Sequence, residues 1–336
     1  MRSVKFSIIV FCVCFILSAC QNDVPLNTNK ENSNIEISSA VTVLPPTDES
    51  QSETIVSSKP EIAVMPNGVN AGKEVVVNGK LQNPEFSQDL LKLKEILNGH
   101  KYNISLAVYS VDGRKSLAYN TESSIFGACT VKAAYTLYAC KQMESGIGDL
   151  KTKITYDKKH YESGTGDMQY SPFGTVFTME TALNKSMSIS DNVGYMMSVD
   201  YFGRDGYNAW ISNLNCDSLV IKPTVWSLKT RANDLIKIWC EIYNYFETDT
   251  EYSRFLYNSC TNTSGNYATA SLTGVEYSHK QGHNSTGDWL SLSDAGIVWK
   301  GDSPYIIAIL TDAPGPNGYS SGEFAKIINI VHNNLF

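Results

Sequence analysis

Ala128-Cys129-Thr130-Val131-Lys132 sets a thiol three residues ahead of an amine, where an extended stretch gives way to a helical one. Positions i and i+3 of a helix share a face, so Cys129 and Lys132 point into the same space. A nucleophile beside a base is the elementary unit of covalent catalysis. The residues after Lys132 (Ala133, Ala134, Tyr135, Leu137) are mostly apolar, which predicts a buried helix over 130–144. A lysine entering such a helix needs a partner or a task. Two later stretches, Ser190-Asp191-Asn192 and Lys280-Gln281-Gly282, read as two further walls of the same site.

Working outward, Asn83-Pro84 opens a helix on which Phe86, Leu90, Leu93 and Leu97 recur at helical spacing until Asn98-Gly99. Ile104, Leu106 and Val108 alternate as a strand, Asp112-Gly113 makes a turn, and Leu117 to Tyr119 returns. Helices are then expected over 130–144, 179–188, 191–202, 206–214 and 231–246, the last with Leu235, Ile238, Trp239, Ile242 and Phe246 on one face. Strand patterns return at 275–281, 295–299 and 305–311, and a closing helix carries Phe324, Ile327, Ile328, Val331 and Leu335. This order predicts an α/β (α+β) fold. Its five-stranded antiparallel sheet is flanked by the terminal helices, and an all-helical lobe (about 125–260) is inserted in the sheet lobe over 84–336. A site is expected in the cleft between the lobes.

The three stretches together resemble the signature of the penicillin-recognising serine hydrolases, closest to class A β-lactamase-like domains: Ser-x-x-Lys, Ser-Asp-Asn and Lys-Thr-Gly in that order. Here they stand as Cys129-Thr130-Val131-Lys132, Ser190-Asp191-Asn192 and Lys280-Gln281-Gly282, flanked by Phe126-Gly127-Ala128 and by Asp294-Ala295-Gly296-Ile297-Val298. The resemblance covers nearly all of 84–336. It implies a β-lactamase/DD-peptidase-like fold, Cys129 as nucleophile, Lys132 as base or counter-ion, and Ser190 as proton donor to the leaving group. Asn192 would hold Lys132 and the substrate amide, and Lys280, Gln281 and Gly282 would bind the substrate. The backbone N–H groups of Cys129 and His283 would form an oxyanion hole. A β-lactam or peptidoglycan-like peptide is the implied partner, and no cofactor or metal is implied.

Each residue also has a plainer reading. Cys129 fits a buried apolar cysteine, Lys132 a surface lysine, and Ser190-Asp191 a helix N-cap. The chain departs from the family pattern at three places. Sulfur replaces oxygen at 129; Gln281 replaces a Thr or Ser; and 193–230 holds no Glu to activate a deacylating water, its carboxylates being Asp200, Asp205 and Asp217. Two functions follow: a hydrolase or acyl-transferase that acylates Cys129 and deacylates slowly, or a degenerate relative that binds a peptide or partner in the old cleft.

Residues 1–20 read as a targeting segment, with Arg2 and Lys5 ahead of an apolar run from Phe6 to Leu17. Leu17-Ser18-Ala19-Cys20 resembles the lipobox of bacterial lipoproteins, which implies lipidation at Cys20 and an exported protein anchored at the outer face of the cytoplasmic membrane or cell envelope. Residues 21–83 are rich in Asn, Ser, Thr, Glu and Pro and read as a flexible tether, with a short hairpin within 73–82 around Asn78-Gly79. A net charge of −7 argues against a nucleic-acid footprint. Beyond Cys20 the cysteines are Cys129, Cys140, Cys216, Cys240 and Cys260. This odd number leaves at least one thiol unpaired within a chain. On one helix Cys129 and Cys140 would sit about 16 Å apart, too far to bond. His279 and His283 flank Lys280, but no further Cys, His or Asp cluster completes a metal site with them.

Overall fold

A computed structural model describes residues 41–44, 63, 65, 71–79, 86–223, 229–315 and 318–336. Its elements are β1 (Val41–Leu44), β2 (Val75–Asn78), α1 (Phe86–Asn98), β3 (Ile104–Ser110), β4 (Ser116–Tyr119) and β5 (Ile125–Phe126). There follow α2 (Lys132–Glu144), β6 (Lys153–Thr155), β7 (Val176–Thr178), α3 (Met179–Ser188), α4 (Asn192–Phe202), α5 (Asp205–Asn213), β8 (Lys229–Thr230), α6 (Ala232–Phe246) and α7 (Glu251–Thr261). The chain closes with β9 (Glu276–Asn284), β10 (Ser291–Trp299), β11 (Tyr305–Thr311) and α8 (Gly318–Asn334).

The main sheet runs β1-β2-β4-β3-β11-β10-β9, with β5 pairing β8 and β6 pairing β7 as separate two-stranded ribbons. The five expected strands form its antiparallel body. β11 shows why its sequence is continuously apolar. Ile307 and Ile309 join a core with Leu90, Leu93 and Leu97 of α1 and Phe324, Ile327, Ile328 and Val331 of α8. Ile306, Ala308 and Leu310 join the other core, with α2, α4 and α6. A strand covered on both faces has no need of polar alternation. The terminal helices thus take one face and the helical lobe the other.

Two corrections concern the amino-terminal stretch. The sheet has seven strands, because β1 and β2 come from within the segment expected to be a tether. β2 is also not half of a hairpin: it pairs parallel with β1 and antiparallel with β4, at Val76↔Ala118. The reason lies in Val75 and Val77, which share one face of the strand and are fully buried against the α1/α8 core, while Val76 and Asn78 on the other face are half-buried. Just before β2, the Ala71 amide donates to Thr121 Oγ1 (3.2 Å). The targeting segment with Cys20, the remainder of the tether and the Asn83-Pro84 helix entry lie outside the described residues.

Helix α7 was not anticipated. Thr250 caps it by accepting from the Ser253 amide at 3.1 Å, and Leu256 and Cys260 are buried one turn apart. Its mean apolarity is low, which hid it between two stronger elements. The five cysteines from Cys129 to Cys260 are all free and buried.

Phe324 is fully buried where α8 meets the sheet. Phe324→Ala is expected to cost about 3–5 kcal/mol, the usual toll for an aromatic-to-alanine cavity. A urea titration reads this as a lowered midpoint with an unchanged slope.

Candidate active site

Cys129 sits in a 3-10 turn, Ala128–Val131, that leads directly into α2. Three residues per turn stack i over i+3 even more closely than an α-helix does, so the predicted juxtaposition with Lys132 holds for a somewhat different reason. The turn is strained at its entry, where Ala128 takes φ +46°. Hydrogen bonds from Thr130 N (3.1 Å) and Thr130 Oγ1 (2.8 Å) to the Gly127 carbonyl hold it in place. β9 presses on it from the side. A Cβ on Gly282 would lie 2.3 Å from Gly127 O and 2.8 Å from Cys129 N, so only glycine permits this approach.

The second wall is Ser190-Asp191-Asn192. Asp191 is the N-cap of α4: Oδ1 accepts from Gly194 N and Oδ2 from Met168 N, both at 2.9 Å. The capping reading of this triplet is therefore correct for Asp191. Its neighbours face the site at the same time, Ser190 taking a left-handed φ of +60° to do so. Lys132 Nζ donates to Ser190 O (2.6 Å) and Asn192 Oδ1 (2.7 Å). Lys280 Nζ donates to Ser190 Oγ, to Gln281 O (3.1 Å) and to Gln281 Oε1 (3.4 Å). Gln281 Nε2 donates to Ser264 O, so this amide is engaged on both ends. His283 Nδ1 lies 3.0 Å from Tyr267 Oη.

The electrostatics follow from two fully buried ammonium groups beside one thiol. Burial by itself raises the Cys129 pKa, but Lys132 and then Lys280, with hydrogen bonds from Lys132 and Ser190, bring it below the ordinary thiol value. Burial lowers Lys132, while the charges of Cys129, Asp191 and Glu162 oppose the shift. Burial takes Lys280 down to about 8. Burial, followed by the nearby Lys280 charge, lowers His283. The remaining thiols move the other way: burial pushes Cys216 up to about 12, and Cys140, Cys240 and Cys260 also rise.

A cleft of about 400 Å³ opens over Cys129, lined by Phe126, Ala128, Glu162 to Thr165, Asn192 and His283 to Ser285. No motif in the sequence marks Ser163–Asp167, yet this segment braces the second wall. Asn192 Nδ2 donates to Ser163 O (2.8 Å), Asn192 N to Thr165 O (3.1 Å) and Thr165 Oγ1 to Ser190 O (2.7 Å). Gly166, with φ +99°, leaves room for Asp191: a Cβ there would sit 2.1 Å from Asp191 Oδ2. Gly164 and Gly166 were the only signal, readable as a close approach but not as to which wall. The carboxylates Asp200, Asp205 and Asp217 do not line the cleft. Asp200 pairs with Lys159 at 2.8 Å and His160 at 3.2 Å. His279 is likewise committed elsewhere, to Asp294 Oδ1 at 2.8 Å and to Thr263 Oγ1.

Residues 91–335 match the family model described as the beta-lactamase enzyme family. The chain belongs to that family. Its fold is that of the penicillin-recognising serine hydrolases. A mutant of PBP-A, solved as an acyl-enzyme complex with penicillin G, is 17% identical with a TM-score of 0.67, over 74% of this chain and 96% of that one. TLA-1 extended spectrum beta-lactamase is 18% identical with a TM-score of 0.66, over 74% of this chain and 98% of that one. A class A beta-lactamase from Bacteroides cellulosilyticus DSM 14838 is 17% identical with a TM-score of 0.64, over 75% and 98%. No curated protein matches.

Cys129 is expected to alkylate first among the five thiols when the folded protein meets iodoacetamide at pH 8, with peptide mapping as the readout. Lys132→Ala removes the principal cation and should slow that reaction about tenfold at pH 8, the midpoint of its pH profile moving up. Gly282→Ala should push β9 off the turn and abolish the selectivity while circular dichroism stays native.

Proposed function

We propose that this protein is a thiol-dependent member of the family, acylated at Cys129 by a β-lactam or a cell-wall-type peptide and slow to release the acyl group. The observation that carries the reading is the lowered thiol of Cys129, flanked by two buried ammonium groups that share Ser190. The Cys129 thiolate attacks the carbonyl carbon, forming the S–C bond, and the carbonyl oxygen takes the negative charge. The backbone N–H groups of Cys129 and His283 are the donors for that oxyanion. As the C–N bond breaks, Ser190 passes a proton to the leaving nitrogen and regains one from Lys280 or Lys132. Lys132 serves as counter-ion to the thiolate, and Asn192 orients both Lys132 and the substrate amide. Lys280 attracts a substrate carboxylate beside Gly282.

Deacylation needs a base aimed at water, and none of the carboxylates between residues 193 and 230 lines the cleft. The described carboxylate that does line the cleft, Glu162, belongs to the loop before Ser190 and is read as a substrate contact and not as a base, so a long-lived thioester is part of the proposal. A second reading, a binding module without turnover, is favoured by one observation: the Gln281 amide is already engaged by Ser264 and Lys280. The position and composition of residues 1–20 support export and lipidation at Cys20, which would hold the domain at the envelope surface.

Intact mass after incubation with a penicillin tests the reading. A stable adduct that maps to Cys129 and vanishes in Cys129→Ala is expected; an adduct on Cys129→Ser alone favours the binding module, and silence from all three, with folding confirmed, sinks the acylation reading. The adduct-forming rate should fall as pH rises past about 8. Lys280 is charged below its folded pKa of about 8 and neutral above it, so its pull on a substrate carboxylate is present at pH 7 and lost at pH 9.

A further inference from the structure

Among the described residues, the cleft over Cys129 is lined by one acidic side chain, Glu162, and by no Lys or Arg. Both site cations, Lys132 and Lys280, lie fully buried with their donors turned to Ser190, Asn192 and Gln281. His283, which also lines the cleft, has its pKa lowered by burial and then by the Lys280 charge, which disfavours a positive charge there. The charge that a ligand meets on entering is therefore negative, although the charge beneath the nucleophile is positive.

Glu162 is half-buried, and among the described residues it forms no salt bridge. Its carrier is not loose. Residues 163–166 are tied to Ser190 and Asn192 by the three hydrogen bonds given above, and Gln169 Nε2 adds two more, to Gly164 O and Gly166 O at 2.8 Å each. A carboxylate outside any salt bridge, on a fixed support and partly withdrawn from water, is a preorganised cation site, with the buried Lys132 ammonium the nearby charge that acts on it. Asn192 links the two: its Oδ1 accepts from Lys132, the partner of Cys129, and its Nδ2 donates to the carbonyl of Ser163, the residue after Glu162, so a substrate whose carbonyl reaches Cys129 and whose acyl-side amide meets Asn192 comes close to Glu162.

From this arrangement we propose that Glu162 is a specificity-determining residue that selects acyl groups carrying a protonated amine, such as a peptide whose acyl residue bears a free ammonium. The proposal rests on the acyl-accepting reading of the cleft, and the pairing is worth about tenfold at a half-exposed site.

Two aryl thioesters identical except for a terminal ammonium in one and its acetylated form in the other test this. The rate of Cys129 acylation is followed by intact mass in wild type, Glu162→Gln and Glu162→Asp. Wild type should favour the ammonium probe about tenfold, Glu162→Gln should lose the preference, and Glu162→Asp should keep part of it. In parallel, calorimetry measures binding of the matching unreactive amides to Cys129→Ala, with and without Glu162→Gln. If no thioester labels Cys129, the acylation reading fails, and a binding preference for the ammonium amide that Glu162→Gln removes still upholds the role of Glu162. Equal treatment of the two probes by wild type, a preference that survives Glu162→Gln, or no binding of either amide overturns it.

Discussion

Two ammonium groups and one thiol share a space from which water is largely excluded, and the architecture of the site answers to that constraint. Each buried charge must find its full set of partners or it will neutralise. Lys132 has three N–H donors and meets Ser190 O, Asn192 Oδ1 and the Cys129 sulfur. Lys280 also has three, and meets Ser190 Oγ, Gln281 O and Gln281 Oε1. Ser190 serves both lysines, one through its carbonyl and one through its hydroxyl, which is why it sits in a left-handed conformation that a serine does not choose freely. The thiol then gains from the same charges what it loses by burial.

The pieces that meet here come from distant parts of the chain. The helical lobe brings Cys129, Lys132 and the α4 N-terminus; the sheet edge brings Lys280 to His283. What joins them is the absence of a side chain at Gly282, where β9 lies against the backbone of the nucleophile turn. The sheet beyond β9 is a rigid backing for this contact. β10 and β11 are buried along almost their whole length, so β9 has little freedom to withdraw. Strain at Ala128 and Ser190 is sustained because packing on both sides over-determines these conformations.

Much of the fold was legible from periodicity. β11 matched its predicted bounds, α3 did as well, and α4, α5 and α6 shifted by a single residue. The elements that escaped were those whose signal is weak in isolation. β1 and β2 are short strands in a polar stretch, recognisable only once a sheet edge is available to pair with them. α7 has only a narrow apolar face, and its burial depends on α2 and β9 being where they are.

The sequence by itself determined the identity and order of the chemical groups. A thiol precedes Lys132, Ser190 and Asn192 flank a capping aspartate, and Lys280 precedes a glycine on a strand. Spacing along a helix or strand is a local property, so those relations could be read directly. The tertiary structure decided which groups are desolvated and which faces meet. Only packing turned Gln281 toward Ser264, brought the Glu162–Thr165 loop and His283 to the same cleft, and brought Lys132 and Lys280 onto the same serine. Charge and pKa depend on burial and on partners far apart in the chain, and no local pattern encodes either.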